Sequence, residues 1–80
     1  MNRTEIEEKV NAFLVDELEI DAEKLKPEAR LKEDLGVDSL DLVDIVVIVD
    51  KTFGFKLRPD EMKGVVTLGQ FYDHIASKMA

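Results

Sequence analysis

One serine, Ser39, stands between two aspartates in the stretch Asp34-Leu35-Gly36-Val37-Asp38-Ser39-Leu40-Asp41, at the head of a long apolar run. Gly36 lets the backbone turn. Asp38 is a strong N-cap residue, which puts Ser39 at the first position of a helix. A hydroxyl there lies beside backbone N–H groups that have no helical partner. Such helix ends favour an anion by roughly 0.3–1 kcal/mol when exposed. A phosphate esterified to Ser39 would be well placed, against some repulsion from Asp38 and Asp41. The plainer role for such a serine is that of a capping hydroxyl with no chemistry of its own.

Other chemistries fit the chain less well. Nucleophilic catalysis would need a base close to Ser39. The only histidine, His74, falls in the last predicted helix, where it is expected to be solvated or capping. The Gly-x-Ser-x-Gly elbow is absent. There is no cysteine, so no thiolate nucleophile or zinc knuckle is available. Asp34, Asp38, Asp41 and Asp44 suggest calcium at first sight. An EF-hand loop, however, needs glycine at its sixth place and glutamate at its twelfth, and Gly36 comes third after Asp34. No metal site and no catalytic residue are expected. Tyr72 and the scattered phenylalanines read as core.

Several elements must hold Ser39 in place. Thr4-Glu5-Ile6-Glu7 matches a capping box, and Ile6, Val10, Phe13, Leu14 and Leu18 recur at helical spacing. The spacing predicts a first helix over about residues 4–18. Residues 19–37 lack clean periodicity and contain Pro27. They predict a long loop with one helical turn, pinned to the core by Ile20, Leu25, Ala29, Leu31 and Leu35. Gly54 suits a helix C-terminus. Pro59 suits the first position of a short helix, with Asp60 and Glu61 in its first turn and Gly64 stopping it. That segment is too short to stand alone, so packing must hold it and it should be the first to move. Thr67-Leu68-Gly69-Gln70 fits a second capping box. Leu68, Phe71, Tyr72, Ile75 and Met79 then give a final amphipathic helix to about residue 78.

The apolar run after Ser39 is ambiguous. Ile45-Val46-Val47-Ile48-Val49 is five β-branched residues in succession, which by propensity alone suits a buried strand. The cap at its start, its length, and Asp41, Asp44 and Lys51 on one polar face favour a helix over 40–53. Eight of the ten residues 40–49 are apolar, too many for one stripe. If Val43, Val46, Val49 and Phe53 face inward, Leu40 and Val47 emerge on the Ser39 side. An apolar patch rimmed by charge marks a partner site, unless the long loop covers it. From Glu33 to Asp50 there are six acidic residues and no basic one, which reads either as a solvated face or as a docking surface for basic patches.

Eighty residues make a single domain spanning 1–80. An apolar content of 45% suits a folded chain. A net charge of -7 disfavours nucleic acid and anionic membranes. No apolar run approaches a membrane span and Met1 precedes polar residues, so the cytoplasm is the expected compartment and a monomer the expected state.

The block from Asp34 to Asp41 resembles the phosphopantetheine attachment site of the acyl carrier proteins, Asp-Leu-Gly-x-Asp-Ser-Leu-Asp, and has it entire. The resemblance extends to the length, the acidity, the Pro27 loop, Phe53 and Thr67-Leu68-Gly69. It implies an all-α, four-helix bundle of three main helices and one short one, with a long first loop. It implies a carrier rather than an enzyme: a phosphopantetheinyl transferase attaches 4′-phosphopantetheine to Ser39, beside Asp38, and the arm's thiol holds acyl groups as thioesters. The implied partners are acyltransferase, ketosynthase and other fatty acid or polyketide synthesis enzymes with basic docking patches. Leu40, Asp41, Asp44 and Val47 match the family's partner contacts. Val43, Val46, Val49, Leu57 and Met62 are candidates to line a space for the acyl chain, between the second helix and the short one. The chain departs from the family at the end of the second helix, which tends to stay acidic but here has Lys51 and Thr52; Lys56, Arg58 and Lys63 follow, so this half of the recognition face is mixed in sign. Like charges there would weaken a generic contact and suit a dedicated pathway. A peptidyl or amino-acyl carrier and an unmodified acidic adaptor stay open as alternatives.

Overall fold

The computed structural model describes residues 2–79. Three α-helices, α1 (Arg3–Asp16), α2 (Ser39–Phe53) and α3 (Leu68–Met79), are joined by irregular chain. That chain contains a 3-10 turn at Ala22–Lys24 and a 3-10 helix at Pro59–Gly64. Among the described residues there is no strand, only an isolated bridge between Arg30 and Thr67. The run of β-branched residues is thus helical. A cap at each end and burial along one side outweigh the modest β preference of valine and isoleucine.

α1 begins earlier than the Thr4–Glu7 capping box predicts. Asn2 is the cap, its side-chain oxygen accepting the Glu5 N–H at 2.8 Å. Asparagine caps at least as well as threonine, and Glu7 turns instead to Arg3, 3.1 Å away. α1 also ends two residues short of Leu18. Glu19 takes a left-handed conformation (φ 56°), and the Ile20 N–H donates to the Leu14 carbonyl at 3.1 Å, which swings Ile20 into the core. The expected stripe of Ile6, Val10, Phe13 and Leu14 is buried, with Phe13 edge-on to Phe71 of α3 at 6.5 Å.

The long loop is pinned as its scattered apolar residues require. Ile20, Ala29, Leu31 and Leu35 are buried and Leu25 is half-buried. Backbone bonds add a second set of ties. Leu31 N–H donates to Val66 and Leu68 N–H to Ala29, each at 2.9 Å, stitching the loop to the entrance of α3. Gly69 N–H donates to the Pro27 carbonyl at 2.9 Å, and a Cβ on Gly69 would meet that oxygen at 3.1 Å. The glycine is what permits this approach. α3 starts with the predicted capping box: Gln70 N–H donates to Thr67 Oγ1 at 3.2 Å, and Gln70 Oε1 accepts the N–H groups of Thr67 and Val66.

α2 shows where the residue pattern misassigned a face. Ile45, Val49 and Phe53 are buried, whereas Val43 is 52% exposed. At about 100° per residue Val43 lies some 200° from Ile45. It shares its side with Leu40 and Val47 at spacings of three and four. Val46 is half-buried at the flank. The inward set of Val43, Val46, Val49 and Phe53 is corrected to Ile45, Val49 and Phe53.

Candidate functional site

Asp34 to Asp38, together with Asp41, each have a local task in presenting Ser39. Asp34 Oδ2 accepts the Arg30 N–H at 2.8 Å and closes the turn before the motif. Leu35 and Val37 are buried and anchor it. Between them Gly36 reverses the chain at φ 72°, a conformation costly for a residue with a Cβ. Asp38 then caps α2. Its Oδ1 accepts the Asp41 N–H at 3.0 Å, while Asp41 Oδ2 accepts the Asp38 N–H at 3.2 Å. This reciprocal pair is a capping box with aspartate in both roles.

Ser39 is therefore the first residue of α2, and its side chain is exposed. Among the described residues its hydroxyl makes no hydrogen bond. The N–H groups of Ser39 and Leu40 also find no acceptor in the protein there. A free hydroxyl next to two free N–H donors at a helix start suits a phosphoryl ester oxygen. Asp38 and Asp41 are turned into the cap, which draws part of their charge onto backbone donors. The repulsion a phosphate on Ser39 would meet from Asp38 and Asp41 is thereby eased.

A cavity of about 380 Å³ opens beside Ser39. Leu31, Val37, Leu42, Met62, Val65 and Val66 form its apolar wall, with Lys32, Glu33, Asp38 and Ser39 as its polar lining. Its size falls in the range of small-ligand pockets. Of the five residues expected to line an acyl space, only Met62 borders this cavity. Val46 and Leu57 line a separate open groove of about 600 Å³ toward the other end of α2. Val49 is wholly buried and Val43 faces outward. Leu31, expected as a pin of the loop, borders the cavity beside Ser39 too, and nothing in the residue pattern singles out Val37 or Val65 for it. The spacing of Leu42, three before Ile45, was the one available signal.

His74 is neither solvated nor capping. It packs against Glu61 of the 3-10 helix, Nε2 lying 3.3 Å from Oε1, close enough for an ion pair but not aligned as a hydrogen bond. Lys78 approaches the same oxygen at 2.6 Å, and Glu61 Oε2 accepts the Arg58 N–H at 2.8 Å. The Lys78 and Arg58 hydrogen bonds lower the Glu61 carboxyl to about 2. Glu61 thus caps the 3-10 helix and ties it to α3. His74 borders an open pocket with Glu61, Gly64, Val65, Gln70 and Asp73, and Ser39 does not line it. Tyr72 is core, its hydroxyl hydrogen-bonded to Asn11.

The outer face of α2 carries Leu40, Val43 and Val47 at 77%, 52% and 49% exposure, with Asp44 exposed alongside. The long loop does not cover them. No helix among the described residues is long and apolar enough to cross a membrane.

Comparison with known proteins agrees with this geometry. The family model described as "Phosphopantetheine attachment site" matches residues 8–75. An acyl carrier protein of Thermosynechococcus vestitus is 40% identical over 80 residues, covering 100% of this chain and 99% of that one. Acyl carrier proteins from two strains of Nitratidesulfovibrio vulgaris are 36% and 34% identical over 73 residues, 91% of this chain and 96% of theirs. With a family model spanning most of its length, relatives of this identity along nearly all of it, and an all-helical fold that presents a free serine at a capped helix start, the chain belongs to the phosphopantetheine-bearing acyl carrier protein family.

Proposed function

We propose that Ser39 Oγ is the attachment point of 4′-phosphopantetheine, and that the carrier serves fatty acid or polyketide-type synthesis in the cytoplasm as a monomer with no catalysis of its own. The observation that supports this most is the Ser39 hydroxyl: exposed, unbonded, and set at the first turn of α2 beside two free N–H groups. The group supplies a terminal thiol able to carry acyl groups as thioesters, a function that a chain without cysteine lacks. The protein's own residues hold the ester oxygen outward, and Asp38 and Asp41 fix the helix start that orients it.

Intact mass after incubation with coenzyme A and a phosphopantetheinyl transferase tests the assignment. The wild type should gain one phosphopantetheinyl group. Ser39→Ala should gain none while its circular dichroism stays unchanged. Loading of the alanine variant would move the attachment elsewhere. Charging with malonyl groups by an acyltransferase supports the fatty acid or polyketide side. Charging by an amino-acid-adenylating enzyme would favour the peptidyl carrier.

Leu40, Asp41, Asp44 and Val47 form the docking face we assign to transferase, acyltransferase and ketosynthase. They are apolar contacts flanked by carboxylates that steer a basic patch. We place the acyl chain in the cavity beside Ser39, against Leu31, Val37, Leu42, Met62 and Val65. Slower amide exchange at Met62 and Val65 on loading with a long acyl group is the expected result.

A further inference from the structure

The surface charge changes sign from the start of α2 to the segment that follows its end. Asp38, Asp41 and Asp44 stand at the serine end with no cation between Glu33 and Asp50. From Lys51 to Arg58 the order reverses: Lys51, Lys56 and Arg58 are present and no acidic residue is. All three cations are exposed, and none makes an ion pair among the described residues. α2 is 15 residues long, about 22 Å at 1.5 Å per residue. Ser39 and Lys51, twelve positions apart, are thus about 18 Å apart along it, more than the Debye length of about 8 Å at physiological salt.

The cationic end also has a shape. Val46, Val47, Leu57 and Pro59 floor the open groove of about 600 Å³, with Lys56 and Arg58 on its rim. Two carboxylates line it as well. Glu61 is occupied by Lys78 and His74, which leaves Asp50 as the free one. The unpaired rim is thus net positive on a chain whose total charge is -7. Val47 belongs both to this groove and to the exposed strip of Leu40 and Val43, so groove and strip make one continuous face.

We propose that this groove docks an acidic segment of a partner protein, one that inserts a large apolar side chain between Val47 and Leu57 while its carboxylates meet Lys56 and Arg58. The inference rests on the carrier reading and sharpens it. The complete face, negative by Ser39 and positive by Leu57, fits an enzyme surface zoned in the opposite order, basic near the arm's entrance and acidic about 10–15 Å away along α2. A uniformly basic partner surface would meet repulsion at the second zone. The overall negative charge makes an anionic membrane the poorer occupant.

Two synthetic helical peptides test this by amide chemical-shift titration of the full chain at low salt. Both carry leucines at i, i+3, i+4 and i+7, one with glutamates and the other with lysines on the flanks. The glutamate peptide should shift Val46, Lys56 and Leu57 and bind there at least about tenfold more tightly than the lysine peptide. The double variant Lys56→Gln/Arg58→Gln should lose about tenfold in that affinity. It should still gain phosphopantetheine at the wild-type rate, so a failed docking result stays distinct from a failed carrier reading. The proposal is overturned if the glutamate peptide leaves the groove amides unmoved, if both peptides bind there equally, if the double variant binds unchanged, or if phosphatidylglycerol vesicles perturb the same amides.

Discussion

Ile45 and Val47 are two residues apart on α2, both β-branched, and they meet opposite surroundings. Ile45 is 1% exposed and Val47 49%. The same contrast runs along the whole helix, with Ile45, Val49 and Phe53 on the inner side and Leu40, Val43 and Val47 on the outer. Burial rewards the inner set at roughly 25 cal/mol per Å² of apolar surface. The outer set, half or more exposed, gains far less of that stabilisation within the chain, and a contiguous exposed apolar strip of this kind is what the proposed docking face would use. One helix thus holds the fold with one side and leaves the other open to solvent, and Ser39 is its first residue.

This contrast can be broken most severely from the inside. Ile45→Ala should destabilise the fold by about 2–5 kcal/mol in a urea melt, the usual cost of emptying a tightly packed site. At the helix start, Asp38→Ala should cost about 1 kcal/mol by removing half of the capping box. The same variant should slow transferase loading, because Ser39 loses the turn that orients it. On the outer face Val47→Ala should change stability by no more than about 0.5 kcal/mol. Its transferase kcat/KM should fall about tenfold, the equivalent of one modest interface contact. An equal stability loss at Val47 and Ile45 would erase the distinction between the faces.

The smallest expected effect concerns the 3-10 helix. Glu61 titrates at about 2 in the folded protein, below its ordinary 4.5. A depressed carboxyl stabilises the fold above its unfolded pKa, and that stability fades as pH falls from about 4.5 toward 2. Glu61→Gln should flatten this acid limb relative to wild type. Amide exchange at Met62 should report the loosening first. A variant whose acid limb matched the wild type would remove Glu61 from the role.

The residues disclosed much of this architecture because the signals are local. Asp38 with Asp41 and Thr67 with Gln70 both cap as their types require, Gly36 and Gly54 take positive φ, and Pro59 opens the short helix. Local rules misled at Thr4, since Asn2 offered an equal cap two residues earlier. They also failed on α2. A helix apolar nearly all round has no moment strong enough to choose an inner face, and Val43 was assigned inward where Ile45 belongs. The wall of the cavity beside Ser39 was largely illegible. It joins Leu31 and Val37 of the loop to Leu42 of α2 and Met62 and Val65 from beyond it, residues far apart in the chain.

The order of residues alone determined where α2 starts, that Ser39 would stand at its first turn, and that the surface around it would be acidic, because capping and charge act within a few residues. Only the folded arrangement decided which side of α2 faces water, what lines the cavity by the serine, and that His74 and Lys78 converge on Glu61. Those outcomes depend on which segments pack against one another, and packing is settled by the whole core at once.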